Sequence, residues 1–119
     1  MKHIESRIQQ ECIKWFRLQY PRYYYNLFSV PNGGARTKIE GKILKAEGTV
    51  AGVSDLILLF PSKDYHGACI EMKTSEKTSR QSLSQKDFQR ATEEAGYKYI
   101  VIRSFYEFKT FIDDYLKAV

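Results

Sequence analysis

Two stretches decide how this chain folds: Gly52-Val53-Ser54-Asp55-Leu56-Ile57-Leu58-Leu59-Phe60 and Ala68-Cys69-Ile70-Glu71-Met72-Lys73-Thr74. Strand side chains alternate between faces with a period of two. Leu56 to Phe60 is a continuous apolar run, as expected of a central strand covered on both faces. Pro61 to Gly67 turns the chain, and residues 68 to 74 read as the next strand, so the pair is expected as an antiparallel hairpin. On the second strand Glu71 and Lys73 project from the same face. Asp55 stands at the entry to the first. Two carboxylates and an amine are therefore expected to converge.

Upstream, residues 4 to 19 read as a helix, with Ile4, Ile8, Cys12, Trp15 and Phe16 on one amphipathic face and Pro21 ending it. Glu11 is three residues after Ile8 and four before Trp15, which puts it on or beside that face. Residues 22 to 31 are rich in aromatics, and Asn26 to Val30 reads as a strand closed by the turn signal Pro31-Asn32-Gly33-Gly34. A weaker helix is expected over 37 to 47, with Ile39, Ile43 and Leu44 in partial periodicity and Lys38, Lys42 and Lys45 interleaved. Gly48 to Gly52 loops into Asp55.

Downstream, Ser82-Leu83-Ser84-Gln85 has the form of a capping box, with Ser82 as cap and Gln85 reaching back. The helix it opens is expected to bury Phe88, Ala91, Thr92 and Ala95, with Gln85 also facing inward, and to end at Gly96. Tyr97 to Arg103 reads as a strand. Ser104 to Glu107 reads as a second capping box, opening a helix with Phe105, Phe108, Phe111, Ile112 and Tyr115 on its apolar face. The order α-β-α-β-β-α-β-α predicts an α/β fold, a mixed central sheet flanked by helices on both sides.

The chain has 119 residues, the size of one ordinary domain, and no repeat or linker divides 1–119. Its 19 Lys+Arg against 14 Asp+Glu give a formal charge of +5, which permits a polyanionic partner without requiring one. Cys12 and Cys69 form neither a metal-ligand spacing nor a disulfide framework, and read as reduced core residues of a cytoplasmic protein. No apolar run approaches the roughly 18 residues that span a bilayer. Met1-Lys2-His3-Ile4-Glu5 lacks the apolar core of a signal peptide.

The polar residues expected on inward faces are Glu11, Asp55, Glu71, Lys73 and Gln85. Oxygen ligands hold a hard divalent cation, which polarises a phosphate and activates water. A lysine beside them stabilises developing negative charge or holds the attacking water. Carboxylates and carbonyls suit Mg²⁺ or Mn²⁺.

This set resembles the PD-(D/E)XK nuclease superfamily, and within it the VRR-NUC family of virus-type replication and repair nucleases. The resemblance is carried by Pro31-Asn32-Gly33-Gly34-Ala35-Arg36, Leu44-Lys45-Ala46-Glu47-Gly48, Gly52-Val53-Ser54-Asp55-Leu56, Glu71-Met72-Lys73-Thr74 and Gln81-Ser82-Leu83-Ser84-Gln85-Lys86-Asp87-Phe88. It runs from the first helix to about Ser104. Ser54 stands where the family usually has proline, a residue that shapes the backbone there and is not a ligand.

The resemblance implies a restriction-endonuclease-like fold and a metal-dependent, structure-selective DNA endonuclease of Holliday-junction-resolvase type, in phage or bacterial replication and repair. Asp55 and Glu71 would bind Mg²⁺ or Mn²⁺ with the Met72 carbonyl. Glu11 would ligate directly or through water. Lys73 would position or activate the attacking water, as base or as electrostatic clamp, and Gln85 would hold Lys73 or the scissile phosphate. Cleavage would leave a 5′-phosphate and a 3′-hydroxyl. Arg36, Lys38, Lys42, Lys45, Lys77 and Arg80 are expected to grip the phosphates of branched DNA, and a homodimer to present two sites. The competing readings are a non-catalytic DNA-binding or scaffold protein on this fold, and ordinary ion pairs at a sheet edge.

Overall fold

The apolar stripe of the first segment forms α1, Lys2–Gln19. The computed structural model describes residues 2–31, 37–74 and 80–117. Cys12 and Phe16 lie fully inside α1's packed face, and Ile8, Ile13 and Trp15 border it. Pro21 restricts Tyr20 and cannot extend the ladder, so the chain leaves α1 into a 3-10 helix, Pro21–Asn26. The strand expected after the aromatic stretch is β1, Leu27–Ser29.

A second helix, α2, spans Lys38–Ala46 behind a capping box in which Thr37 and Glu40 satisfy each other's backbone N–H. It buries none of its residues, and Ile39 and Ile43 remain exposed. The hairpin follows as β2, Leu56–Leu58, and β3, Ala68–Met72. Then come α3, Leu83–Glu94, β4, Lys98–Ile102, and α4, Phe105–Lys117.

The sheet order is β1-β2-β3-β4. β1 and β3 each pair antiparallel with β2, whereas β4 pairs parallel with β3, with Cys69 opposite Tyr99 and Glu71 opposite Val101. The parallel pair is reached through α3, because parallel neighbours need a crossover. β3 is buried along its whole length. Its Ile70 and Met72 join Cys12, Phe16, Leu56, Ile102, Phe108 and Ile112 in the core under α1 and α4. Full burial of an apolar side chain of this size stabilises by about 1.5–3 kcal/mol. Trp15 braces the two helices, edge-on to Phe105 and Phe108 at 6.0 and 6.1 Å.

The opposite face carries Cys69, Glu71 and Tyr99. α3 covers it, its Phe88 ring 6.2 Å from that of Tyr99. The buried stripe of α3 differs from the expected one. Phe88 and Thr92 are half-buried, but Ala91 and Ala95 are exposed and the half-buried places go to Gln85 and Gln89. The sheet face under this helix carries Glu71 and Tyr99, so two of its inward positions are amides. At α4 only half of the expected box forms. Ser104 Oγ accepts from Glu107 N at 3.1 Å, while the Glu107 carboxylate accepts from Arg103 N at 2.7 Å. Among the described residues no helix is long and apolar enough to cross a membrane.

Candidate active site

Asp55 sits where the loop after α2 enters β2. Its Oδ2 accepts a hydrogen bond from the Met72 N–H at 2.7 Å, which ties the start of β2 to the end of β3. Ser54, fully buried, donates its hydroxyl to the Leu56 carbonyl at 3.2 Å. A short side chain bonded to its own backbone constrains that backbone, as a proline would by its ring. Gly52, at φ +89°, makes the same entry possible. A Cβ there would run into the Ser84 carbonyl at the start of α3, so the loop lies directly on the first turn of that helix.

Glu71 projects from β3 under α3 and is only 3% exposed. Lys73 follows on the same face with 13% of its side chain exposed, its ammonium 3.9 Å from Glu71 Oε2. Gln85 joins them. Its Nε2 donates to Glu71 Oε2 at 2.9 Å, and its Oε1 accepts from Lys73 Nζ at 3.0 Å and from Ser82 N at 2.9 Å. The last bond is half of the α3 capping box. One carboxamide therefore caps the helix and orients both the acid and the amine.

The Glu71 carboxyl is pushed up to about 8. Burial is the main cause. Asp55 adds to it, repelling a second negative charge and accepting the hydrogen bond of a protonated Glu71, while Lys73 pulls the other way. Without that proton Glu71 Oε1 is buried with no donor among the described residues. Tyr99, on the neighbouring strand, is pushed up to about 12 by burial and by the charges of Glu71 and Asp55, opposed by a hydrogen bond from Gln81 Nε2 at 3.2 Å.

Asp55, Glu71, Lys73 and Gln85 thus come together. Glu11 does not: it is exposed. The buried axis of α1 runs through Cys12 and Phe16, and one residue's step on a helix rotates Glu11 about 100° away from Cys12. The α1 carboxylate whose field reaches Glu71 is Glu5. Glu5 is seven residues before Cys12 and three before Ile8, a spacing legible in the sequence. Tyr99 and Gln81 were not anticipated either, since only the β3–β4 register brings them here. Lys38, Lys42, Lys45 and Arg80 are exposed. Arg36, Lys77 and the Asn32-Gly33-Gly34 turn lie outside the described residues.

Among the described residues no group of three or more His, Cys, Asp or Glu is placed to hold a metal ion. The pair Asp55 and Glu71 nevertheless fits a hard cation of the Mg²⁺ or Mn²⁺ type. Such ions take one or two carboxylates and complete their shell with water and substrate phosphate. The buried, donor-less Glu71 Oε1 is the atom that a cation would satisfy. A separate cavity of about 620 Å³ between β4 and α4, lined by Tyr65, Ile100 and Phe111 among others, contains none of these four residues.

The chain matches a solved structure described as a VRR_NUC domain protein with a TM-score of 0.82, over 96% of this chain and 88% of that one. The two share their fold. Sequence identity is 24%, so the likeness to the VRR_NUC structure is one of architecture. No protein-family model matches the sequence, and no curated protein does.

Proposed function

We propose that this chain is a Mg²⁺- or Mn²⁺-dependent, structure-selective DNA endonuclease of Holliday-junction-resolvase type, acting as a homodimer of single-domain subunits. The observation that carries the reading is the meeting of Asp55, Glu71, Lys73 and Gln85 around a buried carboxylate oxygen that has no donor among the described residues. The fold shared with a VRR_NUC domain protein supports it.

Asp55 and Glu71 are the residues that would hold the cation, with the Met72 carbonyl as a further oxygen ligand. Bound there, a divalent cation neutralises phosphate charge and makes water a competent nucleophile near neutral pH. The chain's own groups do the rest. Lys73 presents its ammonium to the phosphate, where negative charge builds as water adds to phosphorus and the bond to the 3′-oxygen breaks. The products are a 5′-phosphate and a 3′-hydroxyl. An ammonium has three N–H donors; the bond to Gln85 uses one and directs the others. Glu5 adds negative field at the same point. Lys38, Lys42, Lys45 and Arg80, with Arg36 and Lys77, grip backbone phosphates, contacts that position DNA without reading its sequence. A two-fold dimer would set two such sites against the two strands of a symmetric junction.

The test is a cleavage panel of labelled four-way junction, flap, fork and duplex DNAs with Mg²⁺ and with Mn²⁺. Paired symmetric cuts in the junction are expected. Glu71→Ala and Lys73→Ala should abolish cleavage and retain DNA binding. Undiminished cleavage by either variant would overturn the assignment.

A further inference from the structure

Residues 12 to 31 contain Lys14, Arg17 and Arg22 and no acidic side chain, and they hold much of the chain's aromatic content. Some of those rings are structural. Tyr23 packs on Phe60 at 4.5 Å, and Tyr20 lies 5.6 Å from Phe16. Tyr24 and Tyr25 are not packed in this way. They are 46% and 88% exposed, and their rings meet edge to face at 5.2 Å. The Arg17 guanidinium lies 4.7 Å over the Tyr24 ring, and Leu18 beside it is 71% exposed.

Single exposed apolar residues need no explanation, but a contiguous ledge of them does. Large aromatic rings left in water forgo the burial that makes such residues stabilising. Here the ledge is edged by Lys14, Arg17 and Arg22, all exposed. A groove along α1 continues from Arg17 and Leu18 past Lys14 to Gln10 and Gln9, and none of these lining residues is acidic. The largely exposed Tyr25 ring and the half-exposed Tyr24 ring with Arg17 over it, beside the cations of Lys14 and Arg22, complement a chain that is anionic along its backbone and flat in its side groups.

The ledge is remote from the carboxylates. Val30 N donates to the Asp55 carbonyl at one end of β2, and Leu59 N donates to the Asn26 carbonyl at the other. Four residues of strand separate those ends by roughly 13 Å. Along α1, Glu5 and Arg17 are separated by about 18 Å.

We propose that Tyr24, Tyr25 and Arg17 form a stacking platform for unpaired bases of single-stranded DNA, separate from the carboxylate site. The choice of DNA rests on the endonuclease reading; the platform itself does not. Bases exposed beside a branch would stack on the tyrosines while Lys14 and Arg22 follow the phosphates.

Fluorescence anisotropy in EDTA, with a labelled oligo(dT) of about 15 nucleotides, tests this on the full chain. Tyr24→Ala and Tyr25→Ala should each weaken binding about tenfold or more, and Tyr25→Phe should bind like the parent, because stacking does not use the hydroxyl. Binding of a duplex of equal length should change by less than about twofold, since phosphate contacts carry it. Oligonucleotides carrying 5-iodouracil should crosslink to Tyr24 or Tyr25 by peptide mapping, a readout that needs no variant to fold. Alanine variants that bind like the parent, equal losses for single strand and duplex, or crosslinks only elsewhere would each overturn the platform. So would a change of oligomeric state in the alanine variants by light scattering, which would make the ledge a protein interface. Glu71→Gln separates the two claims. Ledge-dependent binding by this variant, with no cleavage by the parent, leaves the platform and removes the endonuclease. Cleavage by the parent without ledge-dependent binding does the reverse.

Discussion

Gln85 accepts a hydrogen bond from Lys73 Nζ at 3.0 Å with the same oxygen that receives Ser82 N. Helix capping and amine positioning are therefore joined in one atom, and two substitutions separate them. Ser82→Ala removes the cap hydroxyl and leaves the Lys73 contact. It should lower stability by about 1 kcal/mol and change cleavage little. Gln85→Ala should lower stability by about 2 kcal/mol, since Glu71 Oε2 also loses its donor, and slow cleavage about a hundredfold through misplacement of Lys73. Thermal melts and single-turnover rates check both. Equal rates for the two variants would contradict the shared role.

Glu71 makes the metal-free protein sensitive to alkali. Its carboxyl is raised from 4.5 to about 8 in the fold, so the unfolded chain gives up this proton first. The stabilising contribution is complete below the unfolded value and is lost as pH rises toward about 8. Glu71→Gln removes the charge and should flatten that decline, gaining on the order of 3 kcal/mol at pH 8 in EDTA. Mg²⁺ or Mn²⁺ should stabilise the parent and leave Glu71→Gln unmoved. Urea denaturation across the pH range, with and without metal, gives the answer.

Gly52 and Gly48 form a matched pair. Both have positive φ, +89° and +111°, but only Gly52 faces another backbone, that of Ser84 and Gln85. Gly48→Ala should cost about 1 kcal/mol, the conformational penalty alone. Gly52→Ala should cost about 3 kcal/mol or more and reduce cleavage, because α3 must move off the Asp55 loop. Comparing the two denaturation midpoints decides it.

Tyr20 donates to Asp113 Oδ1 at 2.6 Å, linking the end of α1 to α4. That bond holds the Asp113 carboxyl below its usual value of 3.8, burial opposing it. A lowered acid stabilises the fold above its unfolded value and loses that contribution as pH falls through the lowered one. Tyr20→Phe should therefore lower stability by about 1 kcal/mol at neutral pH, and by progressively less as pH falls below 3.8. A loss that does not change with pH would refute the linkage.

The two thiols offer a simple check of the core. Burial pushes Cys12 up to about 12 and raises Cys69 as well. Neither should react with a thiol reagent at pH 8 until the chain unfolds.

Much of this architecture was legible because it rests on local rules. The period of two placed Glu71 and Lys73 on one face, and the Ser82–Gln85 spacing announced both a helix start and an inward amide. Glu11 departs from the expected inward position for a local reason too. A helix with apolar residues at 4, 8, 12, 15 and 16 has a broad stripe, and its centre is set by what packs on it. Once α4 and β3 fix that centre at Cys12 and Phe16, Glu5 falls in line and Glu11 turns to water. Ala91 and Ala95 turn outward for a similar reason, because the face under α3 carries Glu71 and Tyr99 and takes amides opposite them.

The sequence by itself determined most of the helices and strands, the hairpin of β2 and β3, and the shared face of Glu71 and Lys73, since each follows from spacing within a few residues. Only the tertiary structure decided that β4 lies parallel beside β3 and brings Tyr99 to the site, that Gln85 bridges Lys73 and Glu71, and that one Glu71 oxygen is buried without a donor among the described residues. Those relations join residues through the crossover and through burial. Desolvation and long-range register are properties of the assembled layers, and no local pattern encodes them.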